Sequence, residues 1–487
     1  MKVSLFVVSI LAVSCTCLNA FDKDTCKENL QKLLATKAYK NVQTSYSVIR
    51  IHPNKEVLLQ HNEEEQCIPA STIKVLLSLS SLHYLDKHKR FQTVLATDGK
   101  IRKNTLDGNL ILIGGGDPSL KTRNLKEAAR QLRNRGITAV NGHIYYDDSL
   151  FKEELNPRYT DARHYYAPAS ALSCDSNYLS LFFSKNEKKK LSIKPPTPYA
   201  NVITLANLQK TRRYTGRPRL TLKEKPWGDT YYIYGQATLA DQYNGYLRVL
   251  ISRPSLYAAT QLKKVCQEVG IKIKGDIKRG INNKKNKVLV NINSKPVISL
   301  LRKMNAQSDN VSAKLLQKHI EKKHDKEFKK TVSYKRGLEA FCINELKWEQ
   351  NNFYLDDASG LSKMNKVSSR QLTQMLEWSF KNGDMFADML NILKKQDKDS
   401  YENIPKPGNG IVTYFKTGTL SQTGVNNMIG FIEDQNTDTW YIISILCHDK
   451  KAKEPRLTGT LSNPILKHIL EALTVTEIDR RRSDMFM

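Results

Sequence analysis

Residues 69–74 place a serine and a lysine three positions apart, at the expected start of a helix. Ser71 precedes an apolar run whose three- and four-residue spacing predicts a buried helix. Lys74 is therefore expected one turn beyond Ser71, on the same face. A lysine amine in that position can take the proton of the serine hydroxyl and make it a nucleophile. The alternative is an N-cap serine followed by a solvated lysine, and the same spacing recurs at Ser149 and Lys152.

A second polar pair, Ser308 and Asn310, lies at a predicted break between two helices. A hydroxyl and an amide two residues apart can face one pocket, where the hydroxyl relays a proton and the amide holds a substrate carbonyl. The alternative is a pair of N-cap residues, which is common at such breaks. The pattern also occurs a second time, at Ser184 and Asn186.

The third stretch, Lys416, Thr417, Gly418 and Thr419, ends a predicted strand and occurs once in the chain. Its lysine and hydroxyl can bind a carboxylate, while the glycine lets a ligand lie against the strand. The alternative is a strand-end turn with an exposed lysine. Each pattern is weak alone, but the three in this order, each at its appropriate helix start, helix break or strand, are specific to serine acyltransferases such as penicillin-binding proteins and class A β-lactamases.

With these motifs, the chain resembles the low-molecular-mass class C penicillin-binding proteins, which are D-Ala-D-Ala carboxypeptidases and endopeptidases. The resemblance covers nearly all of the mature chain. The gap of 237 residues between Ser71 and Ser308 is similar to that of the family, whose members carry an insertion between the first two motifs. Further similar stretches are residues 108–118, 166–172 with Asn177, 357–362 and 424–432.

The resemblance assigns a role to each motif residue. Ser71 would be the nucleophile and Lys74 its general base, Ser308 would relay a proton to the leaving amine, and Asn310 would bind the peptide carbonyl of the substrate. The terminal carboxylate would be held by Lys416 and Thr417, with Gly418 beside it. The backbone N–H groups of Ser71 and Thr419 would form the oxyanion hole. Because a base must be neutral, we expect a lowered pKa for Lys74, caused by Lys416 and partial burial.

The resemblance also implies the ligands. The substrates would be peptidoglycan stem peptides, cleaved at D-Ala-D-Ala ends and at D-Ala-diaminopimelate cross-links through an acyl-enzyme. β-Lactams, which mimic D-Ala-D-Ala, would be covalent inhibitors. No cofactor and no metal are implied.

Three further residues are candidates for the substrate side chain. Lys363 stands where family members often carry an arginine that binds the free end of diaminopimelate, and Ala358 replaces a glycine of the same family stretch. Asp161 is an acidic candidate for the amine of that side chain, and Ser421 is a candidate for the same subsite.

Two alternatives to the peptidase function are a β-lactamase and a non-enzymatic protein that binds the cell wall. A β-lactamase needs a deacylating base such as a positioned glutamate, which the sequence does not reveal, and the long insertion argues against one. A non-enzymatic, wall-binding scaffold would be favoured by the loss of a motif residue, and all of them are present.

The elements that must position these residues predict an α/β (α+β) fold, and the resemblance implies that it is of the penicillin-binding and β-lactamase type. Its catalytic domain would be an antiparallel sheet flanked by helices, assembled from residues 21–91 and 287–487. Residues 92–286 would form an insertion of two small β-rich subdomains. Residues 1–20 read as a signal peptide, since Lys2 precedes an apolar run too short to span a membrane.

Export would place the protein in the periplasm or cell envelope. Six cysteines remain after the signal, and sequence cannot choose among their fifteen pairings. No two of these cysteines form a C-x-x-C motif, and no cluster of histidines lies near them in the sequence. A metal site is therefore not expected. The net charge of +29 favours contact with an anionic wall or membrane surface. Nucleic acid is not expected, because no recognition motif accompanies the charge.

Overall fold

The protein is described by a computed structural model, which covers residues 21–151, 162–183, 191–204, 219–234, 246–283, 285–327, 336–396, 404–420, 423–452 and 460–474. The helices in these ranges are α1 (Lys23–Leu34), α2 (Ile73–Tyr84), α3 (Thr122–Asn134), α4 (Pro254–Glu268), α5 (Val297–Gln307), α6 (Asn310–Glu327), α7 (Arg336–Asn344), α8 (Ser369–Lys381), α9 (Gly383–Ile392) and α10 (Ser462–Thr474).

The strands in the same ranges are β1 (Val42–His52), β2 (Glu56–His61), β3 (Gln92–Thr97), β4 (Lys100–Arg102), β5 (Thr105–Asp107), β6 (Leu110–Ile113), β7 (Ala139–Val140), β8 (Ile144–Asp147), β9 (Tyr178–Phe183), β10 (Leu191–Lys194), β11 (Ala200–Thr204), β12 (Arg219–Lys225), β13 (Gly228–Tyr234), β14 (Tyr246–Leu250), β15 (Lys272–Ile273), β16 (Ile277–Arg279), β17 (Lys287–Asn293), β18 (Lys394–Gln396), β19 (Ile411–Leu420), β20 (Val425–Asp434) and β21 (Thr439–Asp449).

A six-stranded sheet in the order β18-β19-β20-β21-β1-β2 organises the part of the chain that carries the three motifs. Its neighbouring strands are all antiparallel. Strand β1 comes from the beginning of the chain and β21 from its end, and they pair over residues 42–52 and 440–449. The sheet therefore combines strands from residues 42–61 with strands from residues 394–449.

Helices cover both faces of this sheet. On one face α1 and α10 pack together, with Leu30 and Ile469 fully buried in a core that also contains Ile443 of β21. On the other face α2, α5, α6, α7, α8 and α9 share a second core, in which Leu76 and Phe341 pack near Phe431 of the sheet. The mixed α+β fold with an antiparallel sheet flanked by helices is thus confirmed.

The strands between β2 and α5 belong to other sheets. Strands β16, β8, β6, β3 and β17 form a mixed five-stranded sheet, and β15, β7, β5 and β4 form a four-stranded one. Two three-stranded sheets follow the orders β10-β9-β14 and β11-β13-β12. Helices α3 and α4 pack on each other and share a core with these strands. The boundaries 92 and 286 of the insertion stay a prediction; β17, just beyond the second boundary, pairs with β3 just within the first.

Three observations concern the expected export and anchoring. Residues 1–20, the predicted signal peptide, lie outside the described residues. In the ranges that are described, no helix is both long enough and apolar enough to cross a bilayer. The cysteines of the described chain are buried, unpaired thiols: Cys26, Cys67, Cys174, Cys266, Cys342 and Cys447.

Candidate active site

Ser71 lies on a single 3-10 turn, Ala70–Thr72, that leads directly into α2. The turn is fixed by the Thr72 hydroxyl, which donates to the Pro69 carbonyl at 2.7 Å, and by a left-handed Ala70 with φ of 49°. Left-handed backbone is costly for a residue with a Cβ, and such conformations concentrate at functional sites. The serine is thus held at the helix start, as the sequence predicts, and its side chain stays partly accessible.

Lys74 is fully buried, and its Nζ lies 3.0 Å from Ser71 Oγ. The same nitrogen donates to Asn310 Oδ1 at 2.8 Å and to the Ser359 carbonyl. Burial holds the pKa of Lys74 well below its usual range, because a buried ammonium loses its hydration, and the neighbouring charge of Lys416 lowers that pKa further. The predicted direction is confirmed, with burial complete rather than partial.

Asp309 resolves the ambiguity of the second motif. Helix α5 ends at a left-handed Ser308 with φ of 52°, and Asp309 Oδ1 then accepts from the N–H groups of Val311 and Ser312 at 3.0 and 3.2 Å. Asp309 therefore caps α6. Because the cap is supplied by Asp309, the side chains of Ser308 and Asn310 are released from capping and reach two different lysines.

Lys416 lies on β19, only 4% exposed. Its Nζ approaches Ser308 Oγ at 3.3 Å and donates to the Thr417 carbonyl at 2.6 Å. Burial lowers the pKa of Lys416 to about 8, with a smaller contribution from Lys394 of the neighbouring strand. The side chains of Thr417 and Thr419 are partly accessible, so this half of β19 presents a cation and two hydroxyls.

Gly418 allows β19 to lie directly against the turn that carries Ser71. A Cβ at this position would lie 2.9 Å from the Pro69 carbonyl oxygen, 2.9 Å from the Thr72 nitrogen and 3.0 Å from the Ser71 nitrogen. These separations are shorter than real Cβ contacts. The glycine of the third motif is thus required by close approach of two backbones, and it brings the strand beside the backbone N–H of Ser71.

A loop at residues 356–365 completes the surroundings of Lys74. Asn365 is fully buried; its Oδ1 accepts from the Asp357 N–H at 3.2 Å, and its Nδ2 donates to the Asp357 carbonyl at 3.0 Å. The Asp357 carboxylate accepts in turn from the Gly360 N–H at 2.6 Å. Gly360 has φ of 80°, and a Cβ there would lie 2.0 Å from the Ala70 oxygen. The braced loop holds the Ser359 carbonyl against Lys74.

Residues 165–167 approach the site from the other side. Asn310 Nδ2 donates to the Tyr165 carbonyl at 3.1 Å, and Lys314, one helical turn further on α6, donates to the Ala167 carbonyl at 3.1 Å. The amide of Asn310 is therefore fixed in orientation between a carbonyl and the Lys74 amine. The sequence indicated stretches 166–172 and 357–362 only through resemblance, and main-chain acceptors such as Ser359 and Tyr165 were missed because a carbonyl has no residue-type signature.

Of the three remaining candidates, only Lys363 lies within the described residues. Lys363 is exposed on the braced loop. Asp161 and Ser421 lie outside the described residues, as do Lys152 and residues 184–186 of the repeated patterns. Across the described ranges, no group of three or more histidine, cysteine, aspartate or glutamate side chains is arranged to hold a metal ion.

Comparison with known proteins adds an independent line of evidence. A model described as the D-Ala-D-Ala carboxypeptidase 3 (S13) family matches residues 26–460. The D-alanyl-D-alanine carboxypeptidase DacB of Haemophilus influenzae is 26% identical over 395 residues, which cover 77% of this chain and 80% of that protein.

Two solved structures have a similar fold. The crystal structure of penicillin binding protein 4 (dacB) from Haemophilus influenzae matches with a TM-score of 0.72 at 22% identity, covering 95% of this chain and 99% of that chain. Bd3459, a predatory peptidoglycan endopeptidase from Bdellovibrio bacteriovorus, matches with a TM-score of 0.50 at 14% identity, covering 90% of this chain and 94% of that chain.

Proposed function

This chain belongs to the D-Ala-D-Ala carboxypeptidase 3 (S13) family, and from that premise we propose that it is an exported serine D,D-peptidase of the cell envelope. It removes the terminal D-Ala from peptidoglycan stem peptides and also hydrolyses D-Ala-diaminopimelate cross-links. Both reactions proceed through an acyl-enzyme on Ser71. Penicillin acylates the same serine.

The observation that carries the proposal is that three segments distant in sequence meet in one site. Lys74 Nζ lies 3.0 Å from Ser71 Oγ and 2.8 Å from Asn310 Oδ1, although Asn310 is 236 positions away along the chain. Lys416 Nζ lies 3.3 Å from Oγ of Ser308, which is two residues before Asn310. A nucleophile, a base, a hydroxyl relay and a cation thus adjoin in one site, which is the arrangement that acyl transfer requires.

The hydrogen bonds of Lys74 support its role as a base. A neutral amine has two N–H donors and one lone pair, and this one has three neighbours: Asn310 Oδ1, the Ser359 carbonyl and Ser71 Oγ. The first two can only accept, so they take the two N–H groups. The lone pair is left for the Ser71 hydroxyl proton. After proton transfer, the ammonium has three donors for the same three oxygens.

The reaction then follows with its protons accounted for. Ser71 Oγ attacks the carbonyl carbon of the penultimate D-Ala while its proton moves to Lys74. The oxyanion is stabilised by the backbone N–H groups of Ser71 and Thr419, each worth about 2.7–4 kcal/mol in comparable sites. The proton held by Lys74 passes through the Ser308 hydroxyl to the leaving amine, and the C–N bond breaks to give the acyl-enzyme. Water then attacks the ester carbonyl as one of its protons moves to Lys74; the C–O bond breaks, Lys74 returns the proton to Ser71 Oγ, and the shortened peptide leaves with a new carboxyl group.

Substrate placement is supported by the accessible half of β19. Within the described residues, the pairing of β18 with β19 covers residues 413–415 and stops before Lys416. An extended peptide can lie along the strand from there, as in other strand-addition complexes. Its C-terminal carboxylate would meet the Lys416 ammonium, which is predominantly charged at pH 7 because its pKa is about 8, together with the Thr417 hydroxyl.

The finer assignments remain predictions that rest on the family. Lys363, Asp161 and Ser421 are proposed to contact the diaminopimelate side chain. The catalytic domain is proposed to comprise residues 21–91 and 287–487, with 92–286 as the insertion. Residues 1–20 are proposed as the signal peptide that delivers the protein to the periplasm.

The test is the intact mass of the mature protein after incubation with benzylpenicillin, with Ser71→Ala beside it. We expect one drug molecule per wild-type chain and none on the variant. Digests of purified muropeptides then identify which bonds are hydrolysed. Wild-type protein without an adduct would contradict the proposal: a drug recovered intact would point to a scaffold, and a hydrolysed drug to a β-lactamase.

A further inference from the structure

The two helices that carry the catalytic motifs are joined by one buried polar bond. Asn305, one turn before Ser308 on α5, donates from Nδ2 to Ser78 Oγ at 2.8 Å. Ser78, one turn after Lys74 on α2, donates from the same hydroxyl to the Lys74 carbonyl at 2.8 Å. Ser78 is fully buried and Asn305 is 5% exposed, so the bond is sheltered from water.

The hydrogen bond between Asn305 and Ser78 lies one helical turn from the catalytic residues of both helices. The backbone carbonyl of Asn305 also accepts from the Ser308 N–H at the left-handed end of α5, at 3.4 Å. Asn305 therefore links α2, through its side chain and Ser78, to the backbone of Ser308. A shift of α5 along α2 would move Ser308 and Asn310 relative to Lys74. Displacements near 1 Å can cost acyl-transfer enzymes about a hundredfold in rate.

The asparagine at position 305 also carries a cost in stability. Asn305 Oδ1 is buried and has no hydrogen-bond partner among the described protein atoms. Its neighbours along α5, Leu301 and Met304, belong to the apolar core. An unpaired buried amide oxygen costs stability, and an apolar side chain of similar size avoids that cost. An asparagine placed here stabilises the fold less than leucine would.

We propose that Ser78 and Asn305 are positioning residues for the reaction, which set the register of α5 on α2 so that Ser308 and Asn310 meet Lys74. The inference rests on the proposed function of the site. Neither residue touches the reacting atoms, and their effect is exerted through the helix ends.

The test compares Asn305→Leu and Ser78→Ala with the wild-type protein. We expect at least a roughly tenfold slower acylation by benzylpenicillin in Asn305→Leu, and a thermal midpoint that is unchanged or higher. With a D-Ala-D-Ala peptide, kcat should fall while KM changes little, because the carboxylate-binding residues lie on β19 rather than on α5. The rate losses of the two single variants should not add in the double variant, because both remove the bond between Asn305 and Ser78.

Ser379→Ala is the matched control. Ser379 is a fully buried helix serine, whose Oγ donates to the Leu376 carbonyl of its own helix at 2.7 Å. The Ser379→Ala variant should be acylated by benzylpenicillin at the wild-type rate. Wild-type rates in both Asn305→Leu and Ser78→Ala would overturn the inference. So would a loss of rate that follows a loss of thermal stability in all three variants. These outcomes differ from failure of the proposed function, in which the wild-type protein itself forms no adduct.

Discussion

The two buried lysines of the site both have lowered pKa values. Complete burial and the charge of Lys416 hold the pKa of Lys74 well below its usual range, whereas Lys416, with a pKa of about 8, keeps its proton in most molecules at pH 7. One amine can therefore act as a base while the other binds an anion. At the residue scale, this separation of two like groups by their surroundings is what assigns their roles.

The separation predicts the form of the pH profile. Acylation should fall at low pH, as Lys74 becomes protonated and loses its lone pair. It should also fall above about pH 8, as Lys416 loses the charge that attracts the drug carboxylate, by about tenfold per pH unit. The measurement is the second-order rate constant for benzylpenicillin as a function of pH. In Lys416→Arg the alkaline limb should disappear, because a guanidinium stays charged throughout this range.

The control for this prediction is the methyl ester of benzylpenicillin, which lacks the carboxylate. Its profile should keep the acidic limb, since Lys74 acts on Ser71 in both cases, and should lose the alkaline one. An alkaline limb of equal size for the acid and the ester would show that the group titrating near pH 8 does not bind the carboxylate.

Side-chain chemistry was the predictable part of the site. The types and spacing of Ser71, Lys74 and Asn310 indicated the groups that meet within 3.0 Å. The carbonyl of Ser359 and the cap supplied by Asp309 were not predicted from residue chemistry. A carbonyl is present at every residue, so only the backbone path decides which one reaches the amine.

At the scale of elements, β19 and the Ser71 turn depend on one glycine for their contact. Gly418→Ala would place a Cβ within about 3.0 Å of three backbone atoms of residues 69–72, none of which can rotate away. The strand must then shift outward, which widens the proposed oxyanion hole between the N–H groups of Ser71 and Thr419. We expect penicillin acylation to fall by at least about a hundredfold and the protein to lose about 1–3 kcal/mol of stability.

Gly383→Ala provides the matched comparison. Gly383 is the first residue of α9, and a Cβ there would meet nothing within 4 Å. Its substitution should leave acylation unchanged and stability equal or slightly greater, because alanine restricts the unfolded chain. The measurements are acylation rate and chemical denaturation of both variants. Equal acylation by Gly418→Ala and the wild-type protein would show that close approach of β19 to the turn is not needed.

The elements themselves were predicted unevenly. The apolar patterns of residues 45–51 and 440–446 predict two strands, and the structure extends these to β1 and β21. Helices α8 and α9 were not predicted. Only Asn382 separates them, and polar residues interrupt their apolar positions. Three of those polar residues in α8, Gln371, Thr373 and Glu377, are nevertheless buried by tertiary packing, which local periodicity does not contain.

At the scale of the whole molecule, the first and last described segments of the chain contact each other. Phe21 is buried, the Asp22 side chain caps α1, and the Asp22 N–H donates to the Ala472 carbonyl near the end of α10 at 3.1 Å. In the sheet that carries Lys416, β1 from the first part of the chain lies beside β21 from the last part. A catalytic domain assembled from residues 21–91 and 287–487 stays a prediction. The four sheets between β2 and α5 were not predicted individually, because most of their short strands pair across long sequence distances.

The net charge of +29 gives a prediction for the molecule as a whole. A strongly basic envelope protein should be drawn to anionic wall polymer by a field that salt screens, with a Debye length that falls from about 14 Å near 0.05 M salt to about 4 Å near 0.5 M. We expect Ser71→Ala, which cannot turn over its substrate, to bind purified wall sacculi at low salt and to be released at high salt, as measured by co-sedimentation. Acylation of the wild-type protein by benzylpenicillin, followed in parallel, should change far less, because the buried Lys74 and Lys416 are screened only weakly. Binding that is equally strong at both salt concentrations would show that contacts within the catalytic cleft, rather than the basic surface, hold the protein to the wall.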